Sequence, residues 1–387
     1  MKQTEIIKFT IILDKAFVKA KLSNKKQDYL FSQIIIENVD TLIEYIDSNK
    51  SLLSALVTSL AKKVIHPKQD VRLHRIDFKG GYSARTLDTS VTVPFFKIHF
   101  PKYANKESSF LTLSTRERIK WTKKDGQSLK IRNKAVKNSY LELFDAIETK
   151  KIEPLECLTY IFSKLQHLSE QHKQIFDETI EIANFSDILN INKVIKMLEK
   201  HFKSKLGSRL PVIAIYSIYQ ELFKVFKRYE DKKLRDLNVH TSSDKHGFGD
   251  VEIWNRDGTP FEMVEIKHNI SIDRNMIFDI VKKTENMAIE RYYILTTCMD
   301  NFISKDEEEY INKFILKIKK DTRLEIIANG IVYSIKYYLR FINDYKNFIQ
   351  TYTKNLIKDA ENSTEIKECH IKKWKEILKE ELGELIV

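Results

Sequence analysis

Two apolar-rich segments joined through Asp257-Gly258 constrain this chain more than any other feature. Residues 249–254 carry Asp250, Val251, Glu252, Ile253 and Trp254, and residues 261–267 carry Phe261, Glu262, Met263, Val264, Glu265, Ile266 and Lys267. Asp and Gly both tolerate positive φ, so the dipeptide between two such runs predicts a β-hairpin with a two-residue turn. Cross-strand partners then have numbers summing to 515, which sets Asp250 opposite Glu265 with Lys267 two residues along the same face. Like charges opposed across a sheet repel, so a purely structural hairpin avoids this pairing unless a cation or proton is shared. Two carboxylates beside an ammonium suit a cation site at a phosphodiester. Glu148-Thr149-Lys150 and Glu365-Ile366-Lys367 repeat the Glu-x-Lys spacing, but neither lies in an apolar strand behind an Asp-led partner.

Charge locates a second region. The formal net charge is +12, and between Val71 and Lys137 sixteen Lys or Arg stand against five Asp or Glu, a net +11. A basic stretch of this density suits a polyanion, because neutralising phosphates releases condensed counterions. The candidates for such contacts are Arg72, Arg75, Arg85, Lys102, Lys106, Arg116, Arg118, Lys120, Lys123, Lys124 and Arg132. Aromatic residues are interleaved with them, including Phe78, Tyr82, Phe95, Phe96, Phe100, Tyr103, Phe110 and Trp121. They serve either as surfaces for a nucleic acid or as core.

At 387 residues with 42% hydrophobic side chains, the chain can build one large or two ordinary domains. No apolar run reaches the length of a membrane span, and the N-terminal residues lack the apolar stretch of a secretory leader. Cys157, Cys298 and Cys369 form neither a disulfide framework nor a zinc pattern. A cytoplasmic protein is expected, with no membrane partner and no nucleotide cofactor.

Helical periodicity predicts helices from about 6 to 65 and again from about 135 to 205, around an irregular stretch from 80 to 126 that contains Pro94 and Pro101. From Pro211 the order becomes a helix, a short strand near 234–241, the hairpin, a helix opened by Asp273, and a buried strand at 291–297. The expected division is a helical, basic recognition region (1–205), a core (206–330), and C-terminal helices (331–387) that pack on the core or form a dimer interface.

That order, with Asp250 on the second strand and Glu265-Ile266-Lys267 on the third, resembles the PD-(D/E)xK nuclease core, and within it type II restriction endonucleases. The resemblance covers roughly 90 residues of the chain. Gly249 stands where the motif name has Pro. The resemblance implies an α/β (α+β) fold, with a helix-rich N-terminal region and a restriction-endonuclease-like core whose central mixed β-sheet is flanked by helices. It implies Mg²⁺, with Mn²⁺ able to substitute, on Asp250 and Glu265, with Lys267 at the scissile phosphate and a 5′-phosphate product. Glu221, on the preceding helix, is the candidate additional ligand. Glu252 is expected on the Asp250 face, and His240, His246 and His268 flank the site or lie near it. Double-stranded DNA as substrate, a homodimer on palindromic sites and a prokaryotic source complete what the resemblance implies. The alternatives are a nuclease of this core with a resolvase, transposition or repair role, and a non-catalytic DNA-binding protein.

Overall fold

Amphipathic periodicity builds most of the described residues into helices. The computed structural model describes residues 3–22, 31–184, 189–237, 247–285, 287–362 and 365–382. The chain divides into two units, residues 1–173 and 174–387.

The first unit is helical. Its elements are α1 (Gln3–Leu22), α2 (Gln33–Glu44), α3 (Ile46–Ile65), α4 (Ala84–Leu87), α5 (Val93–His99), α6 (Lys134–Glu148) and the greater part of α7 (Pro154–Asn184). α3 is buried along most of its length and packs against α1, α2 and α6. The stretch expected to be irregular is helical from Ala84 to His99, with a π-helical turn at Asp88–Thr92 between α4 and α5. The reason is Pro94: it donates no N–H and its ring crowds the preceding turn, and a widened π turn there absorbs that misfit. Asp88 is fully buried in this turn and accepts from Ser54 Oγ (2.9 Å), Thr58 Oγ1 (3.0 Å), Ser108 Oγ (2.8 Å) and the Ser109 N–H (2.7 Å). A buried carboxylate held by four donors ties α3, the π turn and the 108–111 segment together.

The second unit is a five-stranded mixed sheet between helical layers. It contains α8 (Ile191–Phe202), α9 (Arg209–Val225), β1 (Lys232–Leu234), β2 (Val251–Asn255), β3 (Pro260–Lys267), α10 (Arg274–Thr284), β4 (Arg291–Thr296), α11 (Lys305–Thr322), β5 (Glu325–Gly330), α12 (Ile331–Leu339), α13 (Tyr345–Asn362) and α14 (Glu368–Leu382). The strands lie in the order β1-β2-β3-β4-β5; β1, β2 and β3 pair antiparallel, and β3, β4 and β5 parallel. One sheet face, with Val251, Ile253, Val264 and Ile266, buries against a core shared with α8, α9 and α12 to α14. The other, with Met263, Tyr292, Ile294 and Ile326, buries against Ile277 and Ile280 of α10 and Ile311 and Ile318 of α11. Asp273 caps α10 by accepting from the Met276 N–H (2.9 Å), and Ser304 caps α11 by accepting from the Glu307 N–H (3.1 Å).

Two expectations are revised. The unit boundary falls inside α7 rather than at 205, because α8 buries Val194, Met197, Leu198 and Phe202 in the second unit's core. Helices α12 to α14 pack in that same core, with Phe348, Tyr352 and Trp374 buried in it. β1 is shorter and earlier than the strand expected at 234–241; residues 238–241, like His240 and His246, lie outside the described residues.

Candidate active site

The hairpin forms, with a different turn. The Asn255 carbonyl accepts from the Gly258 N–H (3.1 Å) and the Asn255 N–H donates to the Thr259 carbonyl (2.8 Å). Gly258 alone in the loop has positive φ (+86°), and Asp257 accepts from the Thr259 N–H (2.9 Å). The loop is therefore three residues, 256–258, with Gly in the left-handed position, not a two-residue Asp-Gly turn. Partner numbers sum to 514 at Trp254↔Pro260; the register shifts between Ile253 and Trp254 and returns the sum to 515 from Ile253↔Glu262 to Val251↔Val264. The expected register thus holds at the Asp250 end because a bulge compensates the longer loop.

Past the last regular pair, the Asp250 N–H donates to the Val264 carbonyl (2.7 Å) and Asp250 Oδ2 accepts from the Ile266 N–H (2.8 Å). This side-chain bond fixes the Asp250 carboxylate beside the backbone between Glu265 and Lys267. Gly249 explains the absent Pro: a Cβ there would lie 2.7 Å from the Val264 carbonyl oxygen and 3.1 Å from its nitrogen. The chain approaches β3 too closely for any side chain.

Strand alternation sets Met263, Glu265 and Lys267 on the α10 face. Lys267 Nζ lies 2.8 Å from Glu265 Oε1, and Lys283 of α10 lies 3.9 Å from Glu265 Oε2. The Glu265 and Lys267 side chains are 23% and 27% exposed, open enough to meet a solute. Tyr292, on neighbouring β4, is buried on the same face and donates its hydroxyl to the Phe248 carbonyl (2.5 Å). Burial first, then the charges of Glu265, Asp250 and Glu252, push its hydroxyl well above the usual tyrosine range. Three carboxylates therefore bear on one buried hydroxyl.

Glu252 shares the Asp250 face, but its oxygens are taken. It is 3% exposed and accepts from Arg235 Nη1 (3.0 Å), the Phe248 N–H (2.7 Å) and Trp254 Nε1 (3.0 Å). With Tyr292 on the Phe248 carbonyl, it anchors the turn that leads into Asp250. Glu221 is not brought to this face. It belongs to α9 in the opposite layer, where both its oxygens take Lys224 Nζ (2.8 Å) and Thr351 Oγ1 donates to it (2.6 Å). His268 Nδ1 lies 3.2 Å from Thr297 Oγ1, and burial pulls the ring's pKa below the usual histidine value. Sequence reading missed Tyr292 and Lys283. Their signal is weak: one Tyr in a buried run, and one Lys on an amphipathic helix.

Two carboxylates with partial exposure offer hard oxygen donors, and Glu265 is already paired with the Lys267 ammonium. Among the described residues, no group of three or more His, Cys, Asp and Glu side chains is placed to hold a metal ion.

In the first unit, the expected DNA-contacting residues separate into two groups. Arg72 pairs with Asp70 and Asp145, Arg75 and Arg118 with Asp77, and Lys123 with Glu142 and Asp145, while Lys102 Nζ lies 3.1 Å from His172 Nδ1. Arg85, Lys106, Arg116, Lys120, Lys124 and Arg132 are exposed and hold no ion pair among the described residues. The interleaved aromatics are core: Tyr82, Phe95, Phe96, Phe100, Tyr103, Phe110 and Trp121 are all buried, and Phe78 is half-buried.

No model of a known protein family matches the chain, and no curated protein matches it significantly. No helix among the described residues is long and apolar enough to cross a membrane.

Proposed function

We propose that the protein is a metal-dependent endonuclease acting on double-stranded DNA, of the restriction-endonuclease kind. The observation that carries this reading is the shared face of Asp250, Glu265 and Lys267, with Asp250 held by the Ile266 N–H at the partly exposed end of the hairpin. Support also comes from the order helix, three antiparallel strands, helix and parallel strand over α9 to β4, which is the order of the nuclease core the sequence resembles. The exposed cations of the first unit that hold no ion pair among the described residues suit a phosphate backbone.

Asp250 and Glu265 would hold Mg²⁺, or Mn²⁺ in its place. The chemistry such an ion supplies is Lewis acidity at a phosphodiester and its attacking water. Lys267 presents an ammonium next to Glu265, where it stabilises charge on a phosphoryl oxygen. Glu252 and Tyr292 act at one remove, holding the Phe248 backbone and so the approach of the chain to Asp250. A palindromic target would call for a two-fold homodimer, with one such site on each strand.

The test incubates purified protein with phage DNA and Mg²⁺, beside Asp250→Asn and Lys267→Ala. Discrete fragments from wild type alone are expected. A smear would favour a nuclease of another role. DNA left intact by wild type in both Mg²⁺ and Mn²⁺, yet still bound, would favour the non-catalytic reading.

A further inference from the structure

Glu265 faces two ammoniums, one from each of two elements. Lys267 Nζ of β3 lies 2.8 Å from its Oε1, and Lys283 Nζ of α10 lies 3.9 Å from its Oε2. Lys283 comes from the last turn of α10, which Ile277 and Ile280 seat against Met263 and Tyr292 on the same sheet face. A local partner was open to it. Asp279, exposed four residues earlier on α10, has the spacing at which helical ion pairs form, yet it holds none among the described residues. Lys283 instead reaches across to the neighbouring strand.

The two ammoniums are held differently. Lys267 is at hydrogen-bond distance, whereas Lys283 at 3.9 Å makes an ion pair without a hydrogen bond. Charge alone keeps it there, on a side chain that is 39% exposed, so it leaves at the lower cost. Asp250 and Glu265 against Lys267 and Lys283 make a quartet of balanced charge, whose pull on an approaching divalent cation largely cancels. Before Glu265 can take such an ion, an ammonium has to leave it. A phosphodiester offers the displaced ammonium a negative oxygen of its own.

We propose that Lys283 is the counter-ion that closes this site in the free protein and moves to a backbone phosphate when DNA binds, which opens Glu265 to a divalent cation. The inference rests on the proposed nuclease site and adds the order in which that site is assembled. Lys283 acts as a positioning residue: it withholds the carboxylate until a phosphate arrives. DNA and metal then bind cooperatively, and linkage requires each to tighten the other.

The experiment titrates the full-length protein with Mn²⁺ in the absence of DNA, followed by electron paramagnetic resonance, as wild type, Lys283→Ala, Lys282→Ala and Glu265→Gln. Lys283→Ala is expected to bind Mn²⁺ about threefold or more tightly than wild type. Lys282→Ala removes the same charge from the adjacent exposed residue and is expected to match wild type. An equal gain there would reduce the effect to net charge and overturn the proposal. Thermal melting checks that the variants fold. In EDTA, a labelled duplex is then bound at several salt concentrations. Lys283→Ala is expected to lower the slope of log affinity against log salt by about one, the mark of one lost phosphate contact. An unchanged Mn²⁺ affinity or an unchanged slope in Lys283→Ala overturns the proposal; if Glu265→Gln still loses Mn²⁺, the nuclease reading stands without it. Glu265→Gln indistinguishable from wild type would remove the cation site and both readings together. Tighter Mn²⁺ binding and a lower slope in Lys283→Ala, from a protein that leaves DNA intact, would count against cleavage alone.

Discussion

The Asp250 carboxylate has two tasks that substitution can separate. It accepts from the Ile266 N–H, which fastens the hairpin end, and it supplies charge opposite Glu265. Asp250→Asn keeps an acceptor oxygen, so its urea midpoint should match wild type, whereas Asp250→Ala strands the amide and should cost about 1 kcal/mol. Both should lower cleavage by roughly a hundredfold or more. Equal stability of the two variants, or an active Asn variant, would contradict this division. Tyr292→Phe removes only the hydroxyl held by the Phe248 carbonyl. It should lower stability by about 1 kcal/mol and weaken the metal dependence of cleavage roughly tenfold or more, as loss of a group behind a metal ligand does. An unchanged Mg²⁺ profile would show that Tyr292 does not support the site.

Among the elements, the hairpin decides whether Asp250 meets Glu265. Its existence and the shared face were legible, because period-two alternation and a Gly-centred turn are local signals. The loop length was not: Asp257 bonds to Thr259 instead of taking positive φ, and only the bulge at Ile253/Trp254 restores the register. Gly258→Ala should cost about 1 kcal/mol, since nothing crowds a Cβ there and only the left-handed backbone resists it. Gly249→Ala should behave differently, forcing β2 away from Val264 and reducing cleavage far more than it shifts the melting temperature. A Gly249→Ala enzyme of normal activity would refute the close approach as the reason for the missing Pro. Tyr292 and Lys283 could not be read in advance, because a parallel strand reached through a helix has no local register signal. The place of Glu221 could not be read either, because sequence does not say which sheet face a helix covers; α9 covers the side away from Glu265.

At the scale of the molecule, helical periodicity announced most of both units, but the boundary inside α7 was invisible, since one unbroken helix carries no turn residue to mark it. Each unit contains a buried neutral histidine. Burial lowers His74 to about 4 in the first unit and His201 to about 3 in the second. His201 Nδ1 lies 2.8 Å from the Tyr352 hydroxyl and Nε2 lies 2.9 Å from the His370 carbonyl, so Nε2 carries the proton. Because the folded values lie below the unfolded value of about 6.5, the unfolded chain binds more protons in acid. The stabilisation is complete above pH 6.5 and is lost as pH falls toward 3 to 4. Urea midpoints should therefore fall steeply between pH 6.5 and 4, and His201→Gln should flatten that slope; an identical slope would contradict the assignment. The central claim is that Asp250 and Glu265 together grip a divalent cation. Electron paramagnetic resonance of Mn²⁺ titrated into the protein with duplex DNA tests it directly. Wild type should bind Mn²⁺ saturably, and Asp250→Asn and Glu265→Gln should each abolish that binding; Mn²⁺ bound equally by all three proteins would contradict the account.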